Sequence, residues 1–289
     1  MSRKAYGIDS TLEMKKVGNL LKKNGELHMK TVLLCGGLGS RISEETGYRP
    51  KPMIEIGGMP ILWHIMKTYS FYGYNEFIIC AGYKQHVIKE WFADYFLHTS
   101  DVTFDFTKGN EVTIHNRFTE PWKVTVVDTG LDTQTGGRVK RVKDYIGNEA
   151  FMLTYGDAVG DVDIKELYDF HRAHGKIGTI SMYNFGQNKG VVEVGRNGLI
   201  DAFREKSDTD GDLINIGFMV FEPKIFEYID GDAMSLEKEP MERLVSDREL
   251  VGYVHRGYWQ CMDTLREKQQ IEMLWNSGDA PWKCWKDEA

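Results

Sequence analysis

The chain has 289 residues, of which 42% are hydrophobic, so it can bury a sizeable core in one large α/β domain or two closely packed ones. Its formal net charge of −7, with both signs interspersed, argues against binding to nucleic acid or to a membrane surface. No apolar run approaches the roughly 20 residues that span a bilayer, and the N-terminus lacks the apolar stretch of a signal peptide. We therefore expect a cytoplasmic protein.

The cysteine pattern argues against a zinc site. No two of the cysteines have the Cys-x-x-Cys spacing that is typical of zinc-binding pairs. We therefore expect reduced thiols throughout the chain; the four residues are Cys35, Cys80, Cys261 and Cys284.

Residues 1–28 differ from the rest of the chain. Four apolar residues are spaced to line one face of a short helix; they are Leu12, Val17, Leu20 and Leu21. An added helix, a disordered leader and an assembly element all fit this pattern, and terminal segments are often disordered. We treat residues 1–28 as an N-terminal extension and predict one domain over residues 29–289.

From Met29 onward, the pattern alternates between strands and helices. Thr31–Cys35 and Glu76–Ala81 are short apolar runs that are typical of buried strands. Ile61–Tyr72 and His86–Phe96 show the apolar spacing of helices. This alternation predicts an α/β fold with a mostly parallel, doubly wound (Rossmann-like) sheet that is covered by helices on both faces.

The pattern changes between residues 101 and 128. Thr103–Phe106, Val112–His115 and Val124–Asp128 alternate between apolar and polar residues, and turn-forming residues separate them. We predict that these segments are antiparallel strands of a small β insertion over about residues 101–128.

The remainder of the chain returns to the strand and helix patterns. A helix is predicted at Ile164–His174, and further strands at Ala150–Tyr155, Gly178–Tyr183, Val191–Val194 and Gly217–Phe221. The last third predicts a C-terminal α/β cap built from two helices and a strand; they are Glu239–Val245, Thr264–Trp275 and Gly252–His255.

A glycine-rich turn directly follows the first strand. Gly36, Gly37 and Gly39 let the backbone turn sharply and bring N–H groups close to an anion. The segment Leu34–Arg41 is not a P-loop, because no Gly-Lys-[Ser/Thr] follows, and it is not a dinucleotide fingerprint, because position 42 is Ile. The glycines alone are equally compatible with a tight strand-to-helix turn that binds nothing.

Two basic residues favour phosphate binding near this turn. Arg41 carries a planar guanidinium that can hold phosphate oxygens with two hydrogen bonds. Lys51 lies between Pro50 and Pro52, which bias the backbone toward an extended shape and would present the ammonium from a stiff loop. The alternative is an ordinary surface loop with a solvated lysine.

These motifs resemble the signature of the sugar-1-phosphate nucleotidyltransferases. The signature consists of the Gly-Gly-x-Gly-Ser-Arg turn and the stretch Arg49–Leu62. Further segments resemble the glucose-1-phosphate cytidylyltransferases in particular; they are Trp63–Met66, Ser100–Phe104, Glu120–Trp122, Val127–Gly130, Thr135–Arg138, Thr154–Asp157 and Met262–Arg266. The resemblance covers residues 29–285.

The resemblance implies a nucleotide site with two cationic catalytic residues, Arg41 and Lys51. The residues implied to bind the nucleotide are Leu34, Cys35, Gly36, Gly37, Gly39, Ser40, Arg41, Lys51, Thr135, Gly136, Arg138 and Gly156. Among these, we interpret Thr135–Arg138 as a second turn that contacts phosphate or base.

The resemblance also implies one Mg²⁺ ion shared by Asp157 and Asp263. Asp157 directly follows a predicted buried strand, and open α/β sheets bind their ligands at that edge. Asp161 and Asp163 are nearby alternatives, for which helix capping is the favoured role. The implied reaction is attack by an acceptor phosphate oxygen on the α-phosphorus of CTP with release of pyrophosphate, which requires no general base.

The implied acceptor site is where the sequence departs from the family pattern. Ser207 replaces the proline of Glu-Lys-Pro, Ile216 adds bulk in place of a glycine of Asn-Gly-Gly, and the stretch 183–191 lacks the Arg-Phe-Gly pattern. Glucose 1-phosphate is the favoured acceptor, and another sugar phosphate, an alditol phosphate or a phosphorylated amino-acid derivative is the alternative. The residues implied to bind the acceptor are Glu205, Lys206, Asn215 and Gly217.

By the same resemblance, we expect CTP as the nucleotide, a homo-oligomer, and a role in making nucleotide sugars for surface polysaccharides. A non-catalytic paralogue that binds nucleotide sugars is the alternative from another class. Four charged residues argue against it, because a pseudoenzyme would be expected to lose at least one of them; they are Arg41, Lys51, Asp157 and Asp263.

Overall fold

The structure is a computed structural model, which describes residues 29–115, 119–184, 191–194, 200–204 and 213–286. The extension at residues 1–28 and the implied acceptor residues Glu205 and Lys206 lie outside the described residues. The boundary between extension and domain therefore stays a prediction.

The described residues alternate between strands and helices, as the sequence predicts. The strands are β1 (Lys30–Cys35), β2 (Glu55–Ile56), β3 (Met59–Pro60), β4 (Glu76–Ala81), β5 (Asp101–Asp105), β6 (Glu111–His115), β7 (Lys123–Asp128), β8 (Phe151–Tyr155), β9 (Ala158–Gly160), β10 (Gly178–Asn184), β11 (Val191–Val194), β12 (Ile200–Arg204), β13 (Leu213–Asn215), β14 (Met219–Phe221), β15 (Leu250–His255) and β16 (Trp259–Cys261). The helices are α1 (Ser43–Thr46), α2 (Ile61–Phe71), α3 (Gln85–Ala93), α4 (Tyr95–Thr99), α5 (Thr135–Arg141), α6 (Lys143–Ile146), α7 (Ile164–His174), α8 (Glu239–Ser246) and α9 (Leu265–Ser277). Among the described helices, none has the length and apolar character that crossing a membrane would require.

One eight-stranded sheet organises the fold, in the order β13-β10-β14-β8-β1-β4-β7, with β15 paired to β10. The four strands β8, β1, β4 and β7 are parallel to one another. Within this sheet, β13 and β14 run in the opposite direction to the other six described strands, and β15 is parallel to β10. The predicted α/β fold with a mostly parallel sheet is confirmed, and the C-terminal third contributes β15 to that sheet.

Alternate residues of the central strand β1 enter two different hydrophobic cores. Leu33 and Cys35 belong to the core that contains the buried side of α2. Val32 and Leu34 belong to the core on the opposite face, together with Val139 of α5. Because successive side chains of a strand point to opposite faces, burial of both sets means that helices cover both faces of the sheet.

The parallel strands end at one edge of the sheet. Cys35 at the end of β1 pairs with Ala81 at the end of β4, which in turn pairs with Asp128 at the end of β7. On the other side of β1, Leu34 pairs with Tyr155 at the end of β8. The loops after these strands therefore meet at the edge where α/β proteins bind ligands.

The predicted β insertion is only partly antiparallel. β5 and β6 form an antiparallel hairpin outside the main sheet. β7 instead pairs in parallel with β4 along its whole length, so the prediction of an antiparallel strand at Val124–Asp128 was wrong. The alternation in β7 arises because it is the last strand of the sheet order and is only half-buried, and such a strand alternates whether its neighbour is parallel or antiparallel.

A histidine is completely buried within the core beside α2. The His64 side chain is 0% exposed, its Nε2–H donates to the Ile56 carbonyl at 2.8 Å, and its Nδ1 lies 3.5 Å from the indole nitrogen of Trp282. Burial lowers the pKa of His64 to about 4, so the ring is neutral in the folded protein at physiological pH.

We expect His64 to make the protein less stable in acid. The unfolded chain protonates this histidine near its ordinary pKa of about 6.5, whereas the folded chain resists protonation until about pH 4. The contribution of neutral His64 to the free energy of unfolding is therefore complete above about pH 6.5. It falls by up to about 3 kcal/mol as the pH drops toward 4. Urea unfolding of wild type and His64→Gln at pH 7 and about pH 4.5 should show a weaker pH dependence in the variant; equal dependence would contradict the assignment.

Candidate active site

A cavity of about 660 Å³ opens at the ends of β1 and β8. Its walls are the glycine-rich turn after β1, the first turn of α5, and the carboxylates Asp157 and Asp263. All of the residues that the resemblance assigned to the nucleotide line this cavity except Gly136. Asn215 and Gly217 do not line it.

The glycine-rich turn needs glycine at two positions for different reasons. Gly39 has a φ of 64°, a left-handed backbone conformation that other residues rarely adopt. A Cβ on Gly36 would lie 2.1 Å from a guanidinium nitrogen of Arg138, so no side chain fits there. The backbone of the turn therefore lies directly against the Arg138 guanidinium.

Arg138 is a buried support for the cavity wall. Only 4% of the residue is exposed, and its guanidinium donates to the Thr129 hydroxyl at 2.7 Å and to the carbonyls of Gly130 and Leu131 at 2.7 and 3.1 Å. Burial lowers the pKa of Arg138, but the group remains charged. The side chain thus ties the loop after β7 to the turn after β1.

The segment Thr135–Arg138, interpreted from the sequence as a turn that contacts phosphate or base, is the first turn of helix α5. Its glycines allow a close approach of the chain near residue 234. A Cβ on Gly136 would lie 2.7 Å from the Met234 carbonyl, and one on Gly137 would lie 2.5 Å from the Cα of Asp232. Gly136 therefore faces this neighbouring segment instead of the cavity.

Lys51 joins the two carboxylates of the site. Its ammonium donates to Asp157 at 2.7 Å and to Asp263 at 2.5 Å, and its side chain is only 10% exposed. Burial alone would lower the pKa of Lys51, but the charge of Asp157 and the two hydrogen bonds raise it above its ordinary value. The lysine is therefore positively charged throughout the physiological pH range.

Arg41 lies at the open side of the same cluster. Its guanidinium donates to Asp263 at 2.5 Å, and its side chain is 75% exposed. Burial tends to raise the pKa of Asp263, but the hydrogen bond and charge of Lys51, with the charge of Arg41, hold it below its ordinary value. Arg41 is thus free to turn toward an anion in the cavity at little cost, since an exposed ion pair is weak.

Asp157, Cys261 and Asp263 present ligand atoms that all lie within 4.8 Å of one another. Two carboxylates suit a hard divalent cation such as Mg²⁺, and the ammonium of Lys51 between them marks a position that attracts positive charge. The backbone holds the donors, because the Met262 N–H donates to the Asp157 carbonyl at 2.9 Å. The donor set therefore fits a divalent metal.

The nearby aspartates have structural partners. Asp163 precedes α7, and its side chain accepts the Glu166 N–H at 2.8 Å, so the predicted helix cap is confirmed. Asp161 accepts the Tyr258 N–H at 2.6 Å and lies 3.0 Å from the His255 ring. Asp161 thus holds the segment before β16 instead of capping a helix.

Several residues of the site were not predicted from the sequence, among them Cys261, Tyr155 and Glu237. Cys261 is the last residue of β16, two residues before Asp263, and ligand atoms of the two side chains lie within 4.8 Å of each other, so the Cys-x-Asp spacing is a usable signal. Tyr155 lines the cavity, and its hydroxyl donates to Glu237 at 2.7 Å. Because Glu237 is 82 residues away in the chain, no local pattern indicates this contact.

Glu237 connects two walls of the cavity. It accepts the Thr135 hydroxyl at 2.5 Å from α5 and the Tyr155 hydroxyl at 2.7 Å from β8. Burial alone would raise the pKa of Glu237, but hydrogen bonds from Ser235, Thr135 and Tyr155 hold it below its ordinary value. Glu237 is therefore an ionised link between the two walls.

We expect Glu237→Gln and Tyr155→Phe each to raise the KM for the nucleotide by about 5- to 10-fold, which corresponds to about 1 kcal/mol. The KM of the double variant should be no higher than that of the more impaired single variant, because both changes break the same hydrogen bond. Glu239→Gln, at an exposed position in the first turn of α8, is the control and should change nothing. Additive effects of the two changes would contradict the coupling.

The sheet, the cavity at its carboxyl edge and the paired carboxylates define an enzyme of the nucleotidyltransferase class. The chain belongs to the nucleotidyl transferase family, whose family model matches residues 30–268. This confirms the family predicted from the glycine-rich turn and the stretch that follows it.

Known relatives match over nearly the full chain. The chain is 52% identical to the glucose-1-phosphate cytidylyltransferases of Salmonella typhimurium and Salmonella typhi, over 89% of this chain and 100% of each relative. Among solved structures, HddC from Yersinia pseudotuberculosis matches with a TM-score of 0.61 at 21% identity, over 86% of this chain and 99% of that chain. The structural match shows the shared fold.

Proposed function

We propose that this enzyme transfers the cytidylyl group of CTP to glucose 1-phosphate, forming CDP-glucose and releasing pyrophosphate. The observation that carries the proposal is the cluster of Arg41, Lys51, Asp157 and Asp263 in one cavity beside a glycine-rich turn. The identity of 52% over the full length of two glucose-1-phosphate cytidylyltransferases supports CTP and glucose 1-phosphate as the substrates. A cytoplasmic location and a homo-oligomeric assembly belong to the same proposal.

The phosphates of CTP would lie against the turn after β1. The turn ends in a short 3-10 helix at Ser40–Ile42 and exposes Gly37, whose Cβ position is open. Backbone N–H groups at such a turn stabilise anions without any change in protonation. Arg41, which is mostly exposed, can close over the phosphates from the outer side.

The reaction needs charge neutralisation more than proton transfer. The attacking phosphate oxygen of the acceptor is already ionised at neutral pH, so no general base has to be found in the site. Lys51 is held in its charged form and would stabilise the negative charge that develops around the α-phosphorus. The rigid placement of these groups also orients the two substrates for in-line attack.

Asp157 and Asp263 would hold Mg²⁺, as their carboxylates fit a hard cation. When bound, the ion would neutralise the phosphate charge and orient the triphosphate. Within the chain itself, Lys51 occupies the position between these carboxylates, so its ammonium has to move toward the phosphates when a cation binds.

One departure from the family pattern lies in the hydrophobic core. Ile216 is 1% exposed, and its side chain belongs to the core cluster and does not line the cavity. The bulk of Ile216 therefore gives no reason to prefer an acceptor other than glucose 1-phosphate.

The test is pyrophosphate release with Mg²⁺ over a grid of nucleoside triphosphates and phosphorylated acceptors. We expect release with CTP and glucose 1-phosphate, and little with alditol phosphates or phosphorylated amino acids. Activity with another acceptor but not with glucose 1-phosphate would show that glucose 1-phosphate is not the acceptor. No release with CTP and any acceptor would support a non-catalytic binding protein instead.

A further inference from the structure

We propose that Cys261 makes the metal site of this enzyme thiophilic, so that Asp157, Cys261 and Asp263 together bind Zn²⁺ or another thiolate-seeking divalent ion. This inference rests on the proposed function only in sharing the two carboxylates. The bound ion would occupy the same position as Mg²⁺ and would therefore inhibit the enzyme.

The donor atoms are already gathered around one point. One ligand atom from each of Asp157, Cys261 and Asp263 lies within 4.8 Å of the other two. Ligand atoms around a tetrahedral Zn²⁺ lie about 3.3–3.8 Å apart, as follows from bond lengths of about 2.0–2.3 Å. Each donor has to move by about 1 Å or less, which side-chain rotation can supply.

The backbone of the three donors is fixed by hydrogen bonds. Cys261 pairs with Ala158 in the ladder between β16 and β9, and the next residue donates to the Asp157 carbonyl at 2.9 Å. The Asp263 N–H donates to the Glu267 carboxylate at 2.7 Å at the start of α9. The three donors therefore come from a preformed frame, which lowers the entropic cost of binding an ion.

The site already holds a positive charge in this position. Lys51 lies between the carboxylates at 2.7 and 2.5 Å, and its ammonium is paired with both of them. A divalent ion would displace this ammonium and be coordinated by both carboxylates.

The sulfur selects which ion binds best. Thiolate favours Zn²⁺, Co²⁺ and Cd²⁺ over Mg²⁺, whereas carboxylates also suit Mg²⁺. Binding forms one bond between the metal and Sγ as the Sγ–H proton leaves to water, and no electron is transferred.

The experiment is a titration of the full-length protein with Co²⁺ without nucleotide or acceptor, followed by absorption spectroscopy. A thiolate ligand to Co²⁺ produces a charge-transfer band in the near ultraviolet. We expect this band to saturate at one equivalent in wild type and in Cys284→Ser, a half-buried cysteine away from the cavity. In Cys261→Ser, which keeps the size of the side chain but removes the sulfur, the band should be absent.

Absence of the band in wild type, or its survival in a folded Cys261→Ser protein, would overturn the proposal. Circular dichroism and thermal unfolding establish that the variant is folded. In a second arm, Zn²⁺ should inhibit Mg²⁺-supported turnover of wild type at a concentration at least about tenfold lower than for Cys261→Ser, each compared with its own uninhibited rate. If the enzyme proves inactive with every substrate, the proposed function is contradicted. The cobalt spectrum still tests metal binding by Cys261, because that titration needs no substrate.

Discussion

Replacing Lys51 with methionine should lower kcat at saturating CTP and glucose 1-phosphate by about 10²- to 10³-fold. The ammonium of Lys51 lies between the carboxylates of Asp157 and Asp263, at 2.7 and 2.5 Å. Loss of one preorganised charge at a reacting centre costs roughly this much in other enzymes. Methionine is unbranched and reaches as far as the lysine Cε, so the change removes chiefly the charged group. Initial-rate measurements of pyrophosphate release give kcat and KM separately.

The control for this change is Lys165→Met on helix α7. Lys165 pairs with Asp169 at 2.5 Å on an exposed surface, with side chains 58% and 52% exposed. Its removal should leave kcat unchanged, since exposed ion pairs contribute little. Near-normal turnover by Lys51→Met at saturating substrates would contradict the catalytic role of Lys51.

Replacing Arg138 with methionine should lower the free energy of unfolding by about 3–5 kcal/mol and abolish tight CTP binding. The guanidinium is buried, and without it the Thr129 hydroxyl and the carbonyls of Gly130 and Leu131 lose their donor. Gly36 packs directly on the same guanidinium, so the turn after β1 would lose its support. Urea unfolding and equilibrium binding of CTP measure the two effects.

Arg141 provides a matched control on the same helix. It makes two hydrogen bonds to Asp232, at 2.9 and 2.6 Å, but this pair is exposed to solvent. Arg141→Met should therefore change stability little, because water replaces the lost contacts. Equal stability and equal CTP binding of Arg138→Met and Arg141→Met would contradict the role of Arg138 in supporting the turn after β1.

The parallel part of the sheet could be predicted because its strands and helices are indicated by short-range patterns in the sequence. The apolar runs of β1 and β4 and the helical spacing of α2 are short-range patterns, and all three elements are found close to their predicted bounds. The glycine-rich turn, which lines the cavity, could be recognised because its signal lies within eight consecutive residues.

The features that the sequence did not predict share a physical cause. Each depends on a contact with residues far away in the chain. The direction of β7 depends on its pairing with β4 and not on its own alternation. Two glycines near the start of α5 lower helix propensity, and they are needed only because Asp232 and Met234 approach closely. The link from Glu237 to the cavity likewise depends on tertiary packing.

The cavity is expected to join the α-phosphate of CTP to the phosphate of a sugar phosphate. Incubation with Mg²⁺, glucose 1-phosphate and CTP labelled with ³²P at the α-position tests it most directly. We predict that all of the label that leaves CTP appears in CDP-glucose, in a one-to-one ratio with unlabelled pyrophosphate, and that Asp157→Asn and Asp263→Asn lose this product. Label in pyrophosphate or in free CMP, or equal product from the Asp263→Asn variant, would contradict the account.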